Sequence, residues 1–251
     1  MSKTRAPRGS ASVARCARTA LAAALIMSVA ACADMTQLLQ AGTHVAGQAN
    51  QGALSRGIKE ALELGSTRAA DLLSQTNGYF NHPVYRIRLP EAVQPIAGSL
   101  RQLGLGGQVD RIEQLMNRGA EQAAAEAKAV FIDAVRAMTI TDALGIVRGH
   151  DTAATDYFRR QTEASLRRRY QPIIQANLRQ IGFYDQYRQL LSAYDKLPLA
   201  NKPNLDLEQH VLTKSLDALF AQVAEEEKLI RQDPLGRGSR AIAAVFGYAG
   251  S

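Results

Sequence analysis

The chain holds only two cysteines, Cys16 and Cys32, and both lie within its first 32 residues. Everything downstream is without a thiol, which excludes disulfide staples, cysteine nucleophiles, redox pairs and thiolate metal sites there. Stability has to come from a hydrophobic core, and about 200 residues suffice for one without staples. Apolar length is also short. The stretch 19–31, TALAAALIMSVAA, is small and apolar throughout, yet a membrane-crossing helix needs about 20 such residues. The formal charge of +7 is likewise less than it looks. Five of the basic residues (Lys3, Arg5, Arg8, Arg15 and Arg18) precede the apolar stretch, and residues 1–18 contain no acid. The rest of the chain carries 25 basic residues against 23 acidic ones. A balance of that kind leaves no electrostatic footprint for nucleic acid, which calls for a clearly basic domain.

A basic start, a short apolar region and small residues before a cut describe a secretory signal. Val29-Ala30-Ala31 followed by Cys32 resembles the cleavage site of bacterial lipoproteins. The resemblance implies a signal over 1–31, cleavage before Cys32, a diacylglycerol thioether on its sulfur and an acylated new amino terminus. Several acyl chains, at roughly 0.8 kcal/mol per buried CH₂, would hold the domain to a bilayer almost permanently. The plainer alternative is a secreted protein cut near Ala31 with Cys32 left as an incidental thiol. The expected location is the periplasm-facing cell envelope, and Ala33 leans toward the outer membrane over the inner.

Residues 32–53 read as the lipidated cysteine and a tether, with Gly42, Gly47 and Gly52 among small polar residues. From Leu54 to residue 247 the pattern is helical. Ile58, Ala61, Leu62, Ala69, Leu72 and Leu73 recur at three- and four-residue steps, with Gly65 as a possible break and Asn77-Gly78 as a turn. In YFNHPVYRIRL (79–89), Pro83 and Pro90 bracket the β-prone Val84, Ile87 and Leu89, which supports at most a short extended segment or edge strand. A helix beginning near Pro90 and ending near Leu103 is expected next. The longest helix is predicted over about 108–138, with a stripe of small residues between Gly119 and Ala129 that lets a neighbour approach closely. Thr139 and Asp142 make a capping-box variant, and Asp151 or Thr152 is expected to cap the following helix. Pro172 is expected to kink or restart that helix. Further helices are expected over about 184–196, from Asp206 to Asp233, and from Ser239 through Phe246. The sum is an all-α fold, a single compact domain of about eight helices, with no fixed-period repeat.

Several segments together resemble one bacterial family, domain of unknown function 4197. They are LSRGIKEALELG (54–65), NGYFNHP (77–83), IRLPEAV (87–93), the run from LGLGGQVDRIEQL through ALGIVRG (103–149), DTAATDYFRRQT (151–162), VLTKSLDALF (211–220) and EEEKLIRQDPLGR (225–237). The likeness covers about residues 54–247, with Gly119 standing where an alanine is expected. It implies an exported, often lipid-anchored helical protein. It carries no catalytic residue over, because no activity attaches to the family.

Candidate sites are few. Asn117, Arg118 and Glu121, with Asp133, Asp142 and Asp156, could form a polar pocket; alternatively Asn117 and Glu121 hold the loops that pack over their helix. The acid–hydroxyl sets Thr139, Thr141, Asp142 and Asp151, Thr152, Thr155, Asp156 stand at helix starts, where capping accounts for most of them. Arg159, Arg160, Arg167, Arg168 and Arg169 could grip phosphate or carboxylate groups, or form a solvated face paired with Glu225, Glu226 and Glu227. His44, His82, His150 and His210 are scattered. Asp206 and His210 sit one turn apart, but without a clustered ligand set, so no metal or cofactor is expected. No Gly-x-Ser-x-Gly elbow is present. The leading reading is a non-enzymatic binding or interaction module at the membrane surface, whose partner is an envelope protein, lipid or cell-wall component. The alternatives are a carrier of an apolar ligand held between helices, and a carboxylate-dependent hydrolase acting on envelope polymers.

Overall fold

Ile58, Leu62, Ala69 and Leu73 share one face of a helix at three- and four-residue spacing, and all four are buried. They belong to α1, over 51–74. The computed structural model describes residues 51–180, 182, 184, 185, 188, 192 and 206–247. After α1 come a 3₁₀ turn at Glu91–Val93, then α2 (Gln94–Gln102), α3 (Gly106–Ala124), α4 (Ala127–Ala137), α5 (Ile140–Val147), α6 (Ala153–Gln180), α7 (Leu207–Gln232), α8 (Pro234–Arg237) and α9 (Arg240–Gly247). There is no strand among the described residues, and the protein is all-α. The expected signal, Cys32, the expected tether as far as residue 50, and most of the helix expected over 184–196 and the loop after it lie outside the described residues.

Helices α3, α6 and α7 pack against one another, with α2 on α3 and both α4 and α5 on α6. The small-residue stripe faces this core: Ala120, Ala123, Ala124 and Ala127 are fully buried. Phe131 of α4 meets Phe158 of α6 at 5.0 Å between ring centres and Phe220 of α7 at 6.2 Å. Such tilted and edge-on pairs add to the area they bury. At Gly119 a Cβ would find Leu178 at 3.6 Å, an ordinary contact, so the space there fits alanine.

Three local expectations are corrected. Gly65 does not break α1; its missing side chain lets Ile230 of α7 approach, and an added Cβ would sit 3.1 Å from that side chain. The helix expected over 108–138 is two helices, parted where the Glu126 amide bonds back only three residues to the Ala123 carbonyl. Pro172 lies inside an unbroken α6. Both Pro172 and Arg168, whose carbonyl it cannot serve, are exposed, so the lost bond falls on the solvent side. Residues 79–89 form turns and then an extended run with no strand partner. The capping box at Thr139 and Asp142 is present with both bonds made. Asp206 caps α7 through the Gln209 amide at 2.9 Å, and Ser239 accepts from the Ile242 amide at 3.3 Å.

Candidate functional site

Glu113, Asn117 and Glu121 follow one another at four-residue steps on α3, and all three are buried. Side chains so spaced share a helix face. The first two hold the extended run 86–90. Asn117 Oδ1 accepts from the Ile87 amide at 2.9 Å, while its Nδ2 donates to the Ile87 carbonyl at 2.8 Å. One side-chain amide thus pairs with both main-chain groups of Ile87, as a neighbouring strand residue would. Nδ2 also donates to the Glu113 carbonyl at 2.7 Å. Glu113 takes the Arg86 guanidinium at 2.9 Å on one oxygen and the Leu89 amide at 3.3 Å on the other. A buried carboxylate and a buried amide are compensated here by main-chain partners.

Glu121 stands differently. Arg118 Nη1 donates to its Oε2 at 2.8 Å, and its Oε1 is buried without a hydrogen-bond partner. The nearby Tyr79 hydroxyl donates to the Ser215 carbonyl at 3.0 Å. Burial pushes the Tyr79 phenol far up, and the charge of Glu121 adds to this. Tyr170 is raised as well, chiefly by burial. Both phenols are fixed in the neutral form.

The remaining members of the candidate polar pocket sit elsewhere. Asp133 and Asp142 line one open groove of about 320 Å³ between α4, α5 and α6, together with Tyr157 and Arg169. Hydrogen bonds from the Thr139 side chain and amide hold the Asp142 carboxyl below the usual range. Asp156 faces His150 at 3.5 Å. The six residues therefore occupy three places, and the structure does not gather them into one pocket.

The arginines of α6 are also divided. Arg167 binds Glu163 at 2.8 Å, Arg159 approaches Asp217 at 3.5 Å and Arg169 approaches Glu126 at 3.6 Å. Arg160 and Arg168 are exposed, with no ion pair among the described residues. Two of the three acids expected to pair with this run are engaged elsewhere: Glu226 faces Arg237 at 3.8 Å, and Glu227 binds Arg231 at 2.8 Å, while Glu225 is exposed. Glu227 also corrects the expected cap of α6. Its two oxygens accept from the Ala154 amide at 3.0 Å and from the amide and hydroxyl of Thr155 at 2.9 Å. Asp151 and Thr152, adjacent in sequence, stay exposed. A carboxylate at a helix start answers both the free amides and the helix dipole.

One open groove of about 710 Å³ lies between the run 83–94 and α7. Arg88, Lys214, His210, Glu91 and Tyr85 line it. His210 Nε2 donates to the Arg88 carbonyl at 2.9 Å. Its pKa is lowered, first by burial and then by Lys214, against the pull of that carbonyl. Arg88 and Lys214 are exposed and have no ion pair among the described residues. Sequence reasoning missed Glu113, Arg88 and Lys214, and it set Glu227 against the α6 arginines rather than at the start of that helix. Only Glu113 carried a signal, its four-residue step to Asn117.

Among the described residues there is no group of three His, Asp or Glu side chains placed to hold a metal, and no helix long and apolar enough to cross a membrane. Fold and site define an all-α domain in which the buried Glu113, Asn117 and Glu227 hold its own backbone, with an open groove of mixed charge on one side. The chain belongs to the family described as protein of unknown function DUF4197, whose model matches residues 48–247. Comparison with curated proteins and with solved structures gives no match.

Proposed function

We propose that this protein is a lipid-anchored module of the bacterial envelope, tethered through Cys32, that binds a partner rather than catalyses a reaction. The observation that carries the binding role is the open groove between 83–94 and α7, where Arg88 and Lys214 have no ion pair among the described residues. A volume of about 710 Å³ falls in the range of ligand clefts. The anchor rests on the sequence around Cys32. The carrier reading draws little support, because the cavity among α1, α6 and α7 holds only about 20 Å³, room for one water. Nor is the hydrolase reading favoured. Asp133 and Asp142 do share a groove, but Asp142 is bound up in a cap that lowers its pKa. A general acid needs the opposite shift.

A photo-crosslinking residue at Val84, which lines the groove and is 76 % exposed, tests the binding role in intact cells. An adduct from Val84 that is absent from Leu235, also exposed, supports it. Adducts from Leu235 alone would place binding elsewhere. For the anchor, Cys32→Ser should leave the precursor unprocessed at this site and shift it from the membrane fraction. Fractionation identical to wild type would remove the lipoprotein assignment.

A further inference from the structure

The groove is long. One wall contains the extended run 86–90, which advances about 3.3 Å per residue. The other is α7 from His210 to Ala221, about 16 Å at 1.5 Å per residue. The two edges of the extended run are used differently. Ile87 and Leu89 turn their amides to Asn117 and Glu113 on α3. The Arg88 carbonyl points the other way and takes His210. Within the described residues the Arg88 amide has no hydrogen-bond partner. The groove thus offers one free main-chain donor, and a guanidinium and an ammonium without an ion pair; the acids that line it are Glu91 and Asp217, the latter approached by Arg159 at 3.5 Å. Val84, Leu89 and Ala218 also line the groove.

Resting on the binding role of this groove, we propose that it takes a short linear peptide bearing carboxylates. The Arg88 fork fits a carboxylate through two parallel bonds, and Lys214 supplies a second cation as a point charge. The free Arg88 amide receives a peptide carbonyl, as main-chain groups do when an extended peptide lies beside an extended run. Glu91 also lines the groove, without an ion pair among the described residues. A fixed acid there repels a polyanion such as a phosphate polymer, but accepts the N–H groups or an amine of a peptide. Mixed charge along an elongated cleft is the pattern of a peptide carrying both signs. A uniformly anionic surface would ask for cations only.

The test uses the purified full chain in detergent and fluorescein-labelled hexapeptides built from Ala, Val and Lys with two Glu at varied positions. A second pool replaces each Glu by Gln. Inorganic phosphate and vesicles of anionic phospholipid serve as further probes. Saturable binding of the acidic pool, at least tenfold weaker for the Gln pool, is expected. Arg88→Ala with Lys214→Ala should lower acidic-pool affinity at least tenfold while the melting temperature holds, since both side chains are exposed. In wild type the Arg88 amide resonance should move on titration. Equal affinity for the two pools, binding by the double variant like wild type, or binding only to phosphate or vesicles would overturn the proposal. If the peptides fail while Val84 still captures a partner in cells, the groove remains a binding face and only the ligand class falls. If Val84 captures nothing either, both readings fall together.

Discussion

Glu227 and Lys214 lie on the same helix and meet opposite fates. Glu227 is buried, and each of its oxygens is taken by the start of α6 or by Arg231. Lys214 is exposed beside a groove and meets no acid among the described residues. The contrast extends to Asn117 and Glu113 on one side and Arg88 on the other. Interior polar groups here are spent on main-chain atoms of distant segments, which fixes the geometry of the groove wall. In the groove, Arg88 and Lys214 are left without an ion pair among the described residues, which leaves them able to meet something else. A buried polar residue is costly unless satisfied; Glu121 Oε1 stands as an exception inside, and exposure with no partner is where binding can be sought.

That contrast predicts a ranking of effects. Removing the interior carboxylate should be the most damaging change. Glu227→Ala strands the amides of Ala154 and Thr155 and takes a buried partner from Arg231, at about 3–5 kcal/mol. Glu227→Gln, which keeps an acceptor, should cost less. Chemical denaturation of both variants checks the order, and equal losses would show that charge and acceptor are not what α6 needs. Asn117→Ala should follow at about 2–4 kcal/mol, since it leaves both main-chain groups of Ile87 buried without a partner and opens a cavity. A loss under about 1 kcal/mol would mean that water or a shifted segment replaces the amide.

The local cap should matter less. Thr139→Ala removes the acceptor for the Asp142 amide and should cost about 1 kcal/mol. Acid should weaken the same helix start. The folded Asp142 carboxyl is held below its ordinary value of 3.8, so its contribution is complete above that value. It is lost as pH falls through the lower folded value. Thr139→Ala should therefore flatten the acid limb of the α5 stability profile; an unchanged limb would assign it to other carboxyls. Smallest of all, Arg88→Ala and Lys214→Ala should each change stability by no more than about 0.5 kcal/mol. A larger loss in the melting curve would turn these residues from groove groups into structural ones.

The same contrast explains what could be read beforehand. The capping box at Thr139 and Asp142 and the cap at Asp206 were legible because every partner lies within three residues. The burial of Ala120, Ala123 and Ala124 followed from helical spacing. Asn117 was legible in kind, as a polar residue holding a loop, but nothing local names Ile87 as what it holds. The cap of α6 comes from Glu227, more than seventy residues along the chain, while Asp151 and Thr152 stood in the expected place. Likewise, the close approach of Ile230 gives Gly65 a role inside a helix that its sequence neighbours do not suggest. The groove was invisible because its two walls, 83–94 and α7, meet only in the folded chain.

Amide hydrogen exchange at three consecutive residues tests the central contrast most directly. Ile87 and Leu89 donate to buried side chains of α3, whereas the Arg88 amide between them faces no protein acceptor. Under native conditions Ile87 and Leu89 should exchange slowly and Arg88 fast, with Ile87 released in Asn117→Ala. Fast exchange at all three would contradict the account, because the segment would then not be held on α3. Slow exchange at Arg88 would contradict it equally, because the groove edge would already be closed.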